Sequence, residues 1–283
     1  MQITTEADAA PVDSGKMTPG LPDAANPDAA TPDAGASDAD APDRGTARIG
    51  IIYPGIGAEE DYPLAQSLVD DLEVDFLNTD AGDVAHTVED LLAVGTPADL
   101  AGHARALVTL FPQAQSVMWA CTSGSFVYGL EGTRGQAAAI TAATGLPASS
   151  TSLSFVAALE FLGVRRVAVA ASYPSQVAER FRALLEDAGV TVTSFQAHGI
   201  PSAGGAGELS VAQLITIARQ ADTADADAVL IPDTAIHGIA GLPALEVALG
   251  KPVLTANQVS IWQAMRLAGR EHPRGTDMGV LFT

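Results

Sequence analysis

The sequence predicts an α/β protein made of two pseudo-symmetric lobes, each a parallel sheet flanked by helices, with the functional site in the cleft between them. Three observations carry this. Short, wholly apolar β-type runs alternate with stretches of helical periodicity, the pattern of βαβ units. Those runs end in Gly, Ser, Thr or Pro, which puts polar loops at the carboxyl edge of the sheet, where open α/β sheets bind ligands. The second half of the chain also repeats the first in the same order.

The elements follow in chain order. Residues 1–46 are Ala, Asp and Pro in a loose repeat (Pro22-Asp23-Ala24, Pro27-Asp28-Ala29, Pro32-Asp33-Ala34). Such a segment has too little apolar surface to offset its ordering entropy, so it reads as a disordered acidic leader. From residue 47 the composition becomes globular, and the two lobes are placed at 47–160 and 161–283. Strands are expected at Ile49–Tyr53, Ser116–Ala120, Arg166–Ala170, Val190–Phe195, Ala228–Ile231 and Pro252–Thr255. Apolar spacing near 3.6 predicts helices over Leu100–Leu110, Ser154–Leu162, Ser175–Ala188, Ser210–Ala221 and Ile261–Leu267.

The internal repeat pairs particular residues. Arg48 to Tyr53-Pro54 is echoed by Arg166 to Tyr173-Pro174, with one extra residue before the Tyr-Pro. Val117-Met-Trp-Ala-Cys121-Thr122 is echoed by Val229-Leu-Ile-Pro-Asp233-Thr234, and Gly145-Leu-Pro147 by Gly250-Lys-Pro252. Facing lobes bring the loops after equivalent strands together, so Cys121 and Asp233 are expected on opposite walls of one cleft.

Composition removes several function classes. The 34 acidic against 14 basic residues, a net charge of −20, argue against nucleic acid and acidic membranes as partners. A single cysteine excludes an internal disulfide and a Cys-rich zinc site, and fits a cytoplasmic protein. No run approaches the roughly 18 apolar residues of a membrane span. The N-terminus lacks the basic patch and apolar core of a secretory signal. The histidines have no metal-ligand spacing, although Asp233 and His237, four apart, are candidates for a hydrogen-bonded pair. Gly55-Ile-Gly57 lacks the third glycine of a dinucleotide fingerprint, and Glu59, Glu60 and Asp61 read as an acidic helix start. Trp119 and Trp262 are assigned to the core.

The strongest local signal is the loop Cys121-Thr122-Ser123-Gly124-Ser125. A strand ending in small hydroxyl residues before a helix exposes backbone N–H groups and a positive dipole end, suited to a carboxylate. The same field predicts a cysteine more acidic than a free one.

This loop, the Tyr173-Pro174 turn and Asn257-Gln258 leading into a Trp-bearing helix resemble the aspartate/glutamate racemase superfamily. Within it, the sequence is most similar to the maleate cis–trans isomerase and arylmalonate decarboxylase branch, over about residues 48–270. The resemblance implies an enzyme without metal or organic cofactor. A small carboxylate or dicarboxylate is held between two opposed catalytic positions, both cysteines in isomerases and one in the decarboxylases. Carried over, the catalytic positions are Cys121 and Asp233. The substrate-binding set is Thr122, Ser123, Tyr173 and the N–H of Thr234, with Tyr53 and Asn257. Two features depart from the pattern: Asp233 stands at the second cysteine position, and the Tyr53–Gly57 loop lacks the Ser-Asn type ligand of a maleate isomerase.

The reading is a maleate-isomerase-like enzyme that uses Cys121 as thiolate, with Asp233 as the opposite acid or base. The alternatives are an arylmalonate-decarboxylase-like reaction with a single proton delivery, whose thiol would here sit on the opposite lobe from the usual one, an ectoine-utilisation-type enzyme and a non-catalytic carboxylate-binding protein. A homo-oligomer is compatible with the sequence.

Overall fold

The computed structural model describes residues 45–283. The leader assigned to residues 1–46 therefore lies outside the described residues, apart from its last two. The first half of the described chain runs β1 (Ala47–Tyr53), α1 (Asp61–Leu68), β2 (Leu72–Asn78), α2 (Val88–Val94), α3 (Pro97–Leu110), β3 (Ser116–Trp119), α4 (Ser123–Phe126), α5 (Gly129–Thr144), β4 (Ala148–Ser150) and α6 (Thr151–Leu162). The second runs β5 (Arg166–Ala171), α7 (Ser175–Asp187), β6 (Thr191–Ala197), α8 (Ala203–Gly207), α9 (Val211–Ala221), β7 (Ala228–Ile231), α10 (Leu242–Leu249), β8 (Val253–Thr255) and α11 (Ala256–Leu267).

The strands form two four-stranded parallel sheets, ordered β2-β1-β3-β4 and β6-β5-β7-β8. The two orders are the same once the second half is counted from β5, so the repeat read in the sequence is a repeat of topology. β2 and β4 were not anticipated. The run Leu72-Glu-Val-Asp-Phe76 alternates polar and apolar residues because β2 is an edge strand, and Ala148–Ser150 carries too few residues to show any period.

Burial explains why the central strands read as unbroken apolar runs. In β1, Ile49, Ile51 and Tyr53 face a core shared by both sheets, while Ile52 faces α3 on the other side. In β5, Val167, Val169 and Ala171 join the same shared core, and Ala168 and Ala170 face α9. A strand covered on both faces has no polar alternation to show. Trp119 and Trp262 are buried, as expected of core residues.

Local sequence sets the helix ends. Thr87, Thr96 and Ser150 each accept a backbone N–H as N-caps of α2, α3 and α6, and Ser210 with Gln213 closes a capping box on α9. The last helix, α11, lies on the first sheet: the Ser116 hydroxyl donates to Ala264 O at 2.8 Å, and Thr151 and Ser260 hydroxyls meet at 2.8 Å. Because α11 directly follows β8, it ties the second sheet to the first. Among the described residues, no helix is long and apolar enough to cross a membrane.

Candidate active site

The loops that leave β3 and β7 converge. Cys121 follows the first and Asp233 the second, and both line one cavity of about 390 Å³ with Tyr53, His86, Ser123 and Thr234. The same lining includes the apolar residues Ile56, Val84, Leu91, Val94 and Ala203. Polar and apolar side chains share the lining, which suits a small acid with an apolar substituent.

Cys121 is held by two long contacts. The Gly124 N–H donates to Sγ at 3.3 Å, and the Ser123 hydroxyl lies 4.0 Å away. Burial pushes the thiol up to about 12, and the nearby Asp233 adds to the rise against the Gly124 and Ser123 hydrogen bonds. The sequence expectation of an acidified cysteine is thus corrected. The helix that was to supply the dipole, α4, has four residues and is followed by Gly129 at φ +68°, so desolvation outweighs its field. The resting sulfur is a protonated thiol.

Asp233 is held more firmly. The Ser172 hydroxyl donates to Oδ2 at 2.5 Å and the Ala235 N–H to Oδ1 at 3.0 Å. Burial raises this carboxyl above its ordinary value, opposed by His86 and by the Ser172 hydrogen bond. The expected pairing of Asp233 with His237 does not occur. His237 acts instead on Asp61, whose Oδ2 accepts the N–H groups of Gly238 and Ile239 at 3.0 and 3.3 Å.

The remaining predicted residues divide into two groups. Ser123 and Thr234 lie on the cavity wall, as does Tyr53, whose hydroxyl donates to Thr234 O at 3.1 Å and accepts the Ala58 N–H. The Tyr173 hydroxyl sits among Thr122, Ser123 and Asp233. Yet neither it nor Thr122 Oγ1 completes a hydrogen bond of good geometry within the protein. Both side chains are fully buried and neither is on the cavity wall; they neighbour Ser123 and Asp233, which are, and a ligand oxygen that reached them would satisfy both hydroxyls.

Asn257 belongs to the second group, a correction to its reading as a substrate ligand. Its amide donates to Asp61 Oδ2 at 3.0 Å and to Thr234 O at 3.1 Å, and its carbonyl accepts the Tyr62 hydroxyl. With its hydrogen-bonding capacity spent inside the protein, Asn257 positions the loop that carries Asp233 and Thr234. Asp61, read as a helix-start acid, shares that work from α1.

Sequence reasoning missed Ser172 and His86. Ser172 had a signal, being the residue before the Tyr173-Pro174 turn. His86 had none: it lies in the loop between β2 and α2, which crosses to the second half through an Ala85–Ser202 bridge and the His86 N–H donated to Pro201 O at 2.7 Å. The glycines of the first loop serve close packing. A Cβ on Gly55 would meet Gly82 O at 2.4 Å, and Gly57, at φ +146°, passes against Ala235.

Comparison with known proteins gives a consistent picture. The family model of arylmalonate decarboxylase matches residues 98–282. Arylmalonate decarboxylase of Bordetella bronchiseptica is 32% identical over 182 residues, 64% of this chain and 75% of that protein. A liganded double mutant of arylmalonate decarboxylase, with a glycine changed to cysteine and a cysteine to serine, superposes with a TM-score of 0.74 at 30% identity, covering 84% of this chain and 99% of the other. A cysteine-to-alanine variant of the maleate isomerase Iso of Pseudomonas putida S16, crystallised with maleate, gives a TM-score of 0.75 at 21% identity over 84% and 97% of the two chains, a likeness of fold.

Proposed function

This chain belongs to the arylmalonate decarboxylase family, and from that premise we propose that it decarboxylates small α-substituted malonates without a cofactor, Cys121 delivering the proton. The observation that carries the reading is the environment of the sulfur: a buried thiol pushed up to about 12 is a proton donor rather than a ready nucleophile. Thiolate addition to a double bond, the isomerase chemistry expected first from the sequence, needs that proton removed beforehand.

In the proposed reaction one carboxylate of the substrate lies against Ile56, Val84, Leu91 and Val94, where no side chain offers it a hydrogen bond. An unsolvated carboxylate is costly, and loss of CO₂ disperses its charge. The C–C bond breaks with its electron pair left on the α-carbon and delocalised into the second carboxylate as an enediolate. The Tyr173 and Thr122 hydroxyls, which make no good hydrogen bond within the protein, donate to that carboxylate with Ser123 and the Thr234 N–H. The Cys121 S–H then transfers its proton to the α-carbon, and the resulting thiolate recovers a proton from water. Asp233 keeps this part of the wall polar, and burial raises its carboxyl above the ordinary value, which lessens the charge it sets against the substrate.

The test is turnover of phenylmalonate and a methylated analogue in heavy water, followed by NMR. The expected result is release of CO₂ with one deuterium placed at the α-carbon and a single enantiomer from the methylated substrate. Conversion of maleate to fumarate with no reaction on the malonates would overturn the proposal.

A further inference from the structure

The cavity that is to receive a carboxylate has, among its lining residues, one side chain able to carry positive charge: His86. Three observations set its state. The ring nitrogen Nδ1 lies 2.9 Å from Ile200 O, and a carbonyl only accepts, so Nδ1 carries a hydrogen. Nε2 has no hydrogen-bond partner among the described residues. The ring stands edge-on to Tyr173 with centroids 4.7 Å apart and lies close enough to Asp233 to act on its carboxyl.

A structural role alone leaves this arrangement unexplained. The backbone N–H of His86 already ties the crossing loop to Pro201 O, and Asp83 ties it again by accepting the Gly204 N–H at 2.8 Å. The Nδ1 contact adds a third tie on the same loop, and none of the three uses Nε2. Both halves of the chain thus fix a ring whose second nitrogen is left for the cavity.

Building on the decarboxylase reading, we propose that His86 is a further substrate-contacting residue, its Nε2–H donating to the carboxylate that stays on the product. With Nδ1–H committed to Ile200 O, donation from Nε2 is by the ring that carries a hydrogen on both nitrogens, and its bond to a carboxylate is charge-assisted. The same contact strengthens as enediolate charge gathers on that oxygen, so His86 serves catalysis as well as binding.

The two nitrogens can be separated by substitution. His86→Asn keeps a donor near Nδ1 for Ile200 O and removes Nε2, whereas His86→Gln keeps a donor near Nε2. Calorimetric binding of phenylmalonate and of phenylacetate is measured in a Cys121→Ser background, where no turnover intrudes, alongside kcat and KM in the parent. His86→Asn is expected to melt with the parent and to weaken both ligands about tenfold to a hundredfold, the loss of one hydrogen bond to a charged group. His86→Gln is expected to bind more tightly than His86→Asn, and kcat is expected to fall with the rise in KM. Parent-like binding by His86→Asn would overturn the proposal, as would no binding of either ligand to the parent background. Weakened phenylmalonate with unchanged phenylacetate would overturn the assignment to the retained carboxylate. Turnover without dependence on His86 would sink this inference alone, and His86-dependent binding with no turnover would sink the decarboxylase reading alone.

Discussion

The two loops that build the site occupy equivalent places in a repeated topology, yet they hold their reactive groups differently. Cys121 ends one central strand with the Gly124 N–H at 3.3 Å and the Ser123 hydroxyl at 4.0 Å from its sulfur, both long contacts. Asp233 ends the other with donors at 2.5 and 3.0 Å, one on each carboxyl oxygen. Both groups are buried, and burial pushes both toward the neutral form. What separates them is anchoring. A weakly held thiol can move with its proton toward a substrate carbon, whereas a doubly bonded carboxyl is fixed in place. The repeat has therefore become a working half and a supporting half, and the supporting half is itself braced by Asp61 and Asn257.

The most severe test of this asymmetry is Cys121→Ser. If the first loop carries the proton transfer, kcat should drop by about 10²–10⁴-fold, the range of a lost general acid, while the melting temperature stays near that of the parent. A variant that keeps more than a tenth of the parent kcat would erase the distinction between the loops.

The same substitution sharpens the comparison through alkaline stability. The Cys121 pKa is near 9 in an unfolded chain and about 12 when folded, so the folded state binds more protons across that window. Stability attributable to the thiol is intact below about pH 9 and declines as pH rises toward 12, a loss of about 4 kcal/mol for three pH units. Denaturant titrations of parent and Cys121→Ser should diverge above pH 9, with the parent falling faster. Parallel curves would mean that the sulfur is not desolvated.

Asp233→Ala probes the supporting half. It leaves the Ser172 hydroxyl and the Ala235 N–H buried without an acceptor. Each such orphan costs about 1–3 kcal/mol, which urea denaturation would read directly. An unchanged midpoint would show that the carboxyl is not a structural anchor.

The contrast also explains what the sequence disclosed. The fold was legible because Ile49–Tyr53 and Arg166–Ala170 are buried on both faces and read as unbroken apolar runs, and because their repeat fixed the order of the sheets. Cys121 and Asp233 were legible as equivalent positions in that repeat, and both line the cavity. Their protonation was not, because the short α4 and the depth of burial are properties of the folded loop. Asn257 was misread for a related reason: an amide beside a site looks alike in sequence whether it faces the ligand or the protein. His86 lay in a loop with neither periodicity nor repeat, and only the crossing to Pro201 brings it to the cavity.

The smallest expected effect is also the finest discriminator. Asp233→Asn preserves the shape of the side chain and an oxygen for the Ala235 N–H, while the Ser172 hydroxyl must turn to meet either the amide or its oxygen. Since burial already raises the carboxyl toward its neutral form, a neutral amide changes little at neutral pH, and kcat should fall by less than about tenfold. The difference should appear with pH. The carboxyl is raised in the fold above its unfolded value of 3.8, so the parent loses stability as pH climbs from near 4 through the folded pKa, and the amide does not. Urea midpoints from pH 3 to 8 should therefore show the variant gaining on the parent as pH rises. A deep loss of kcat, or loss of the product's single handedness, would instead give the second loop a proton of its own to deliver and restore the symmetry that the hydrogen bonds deny.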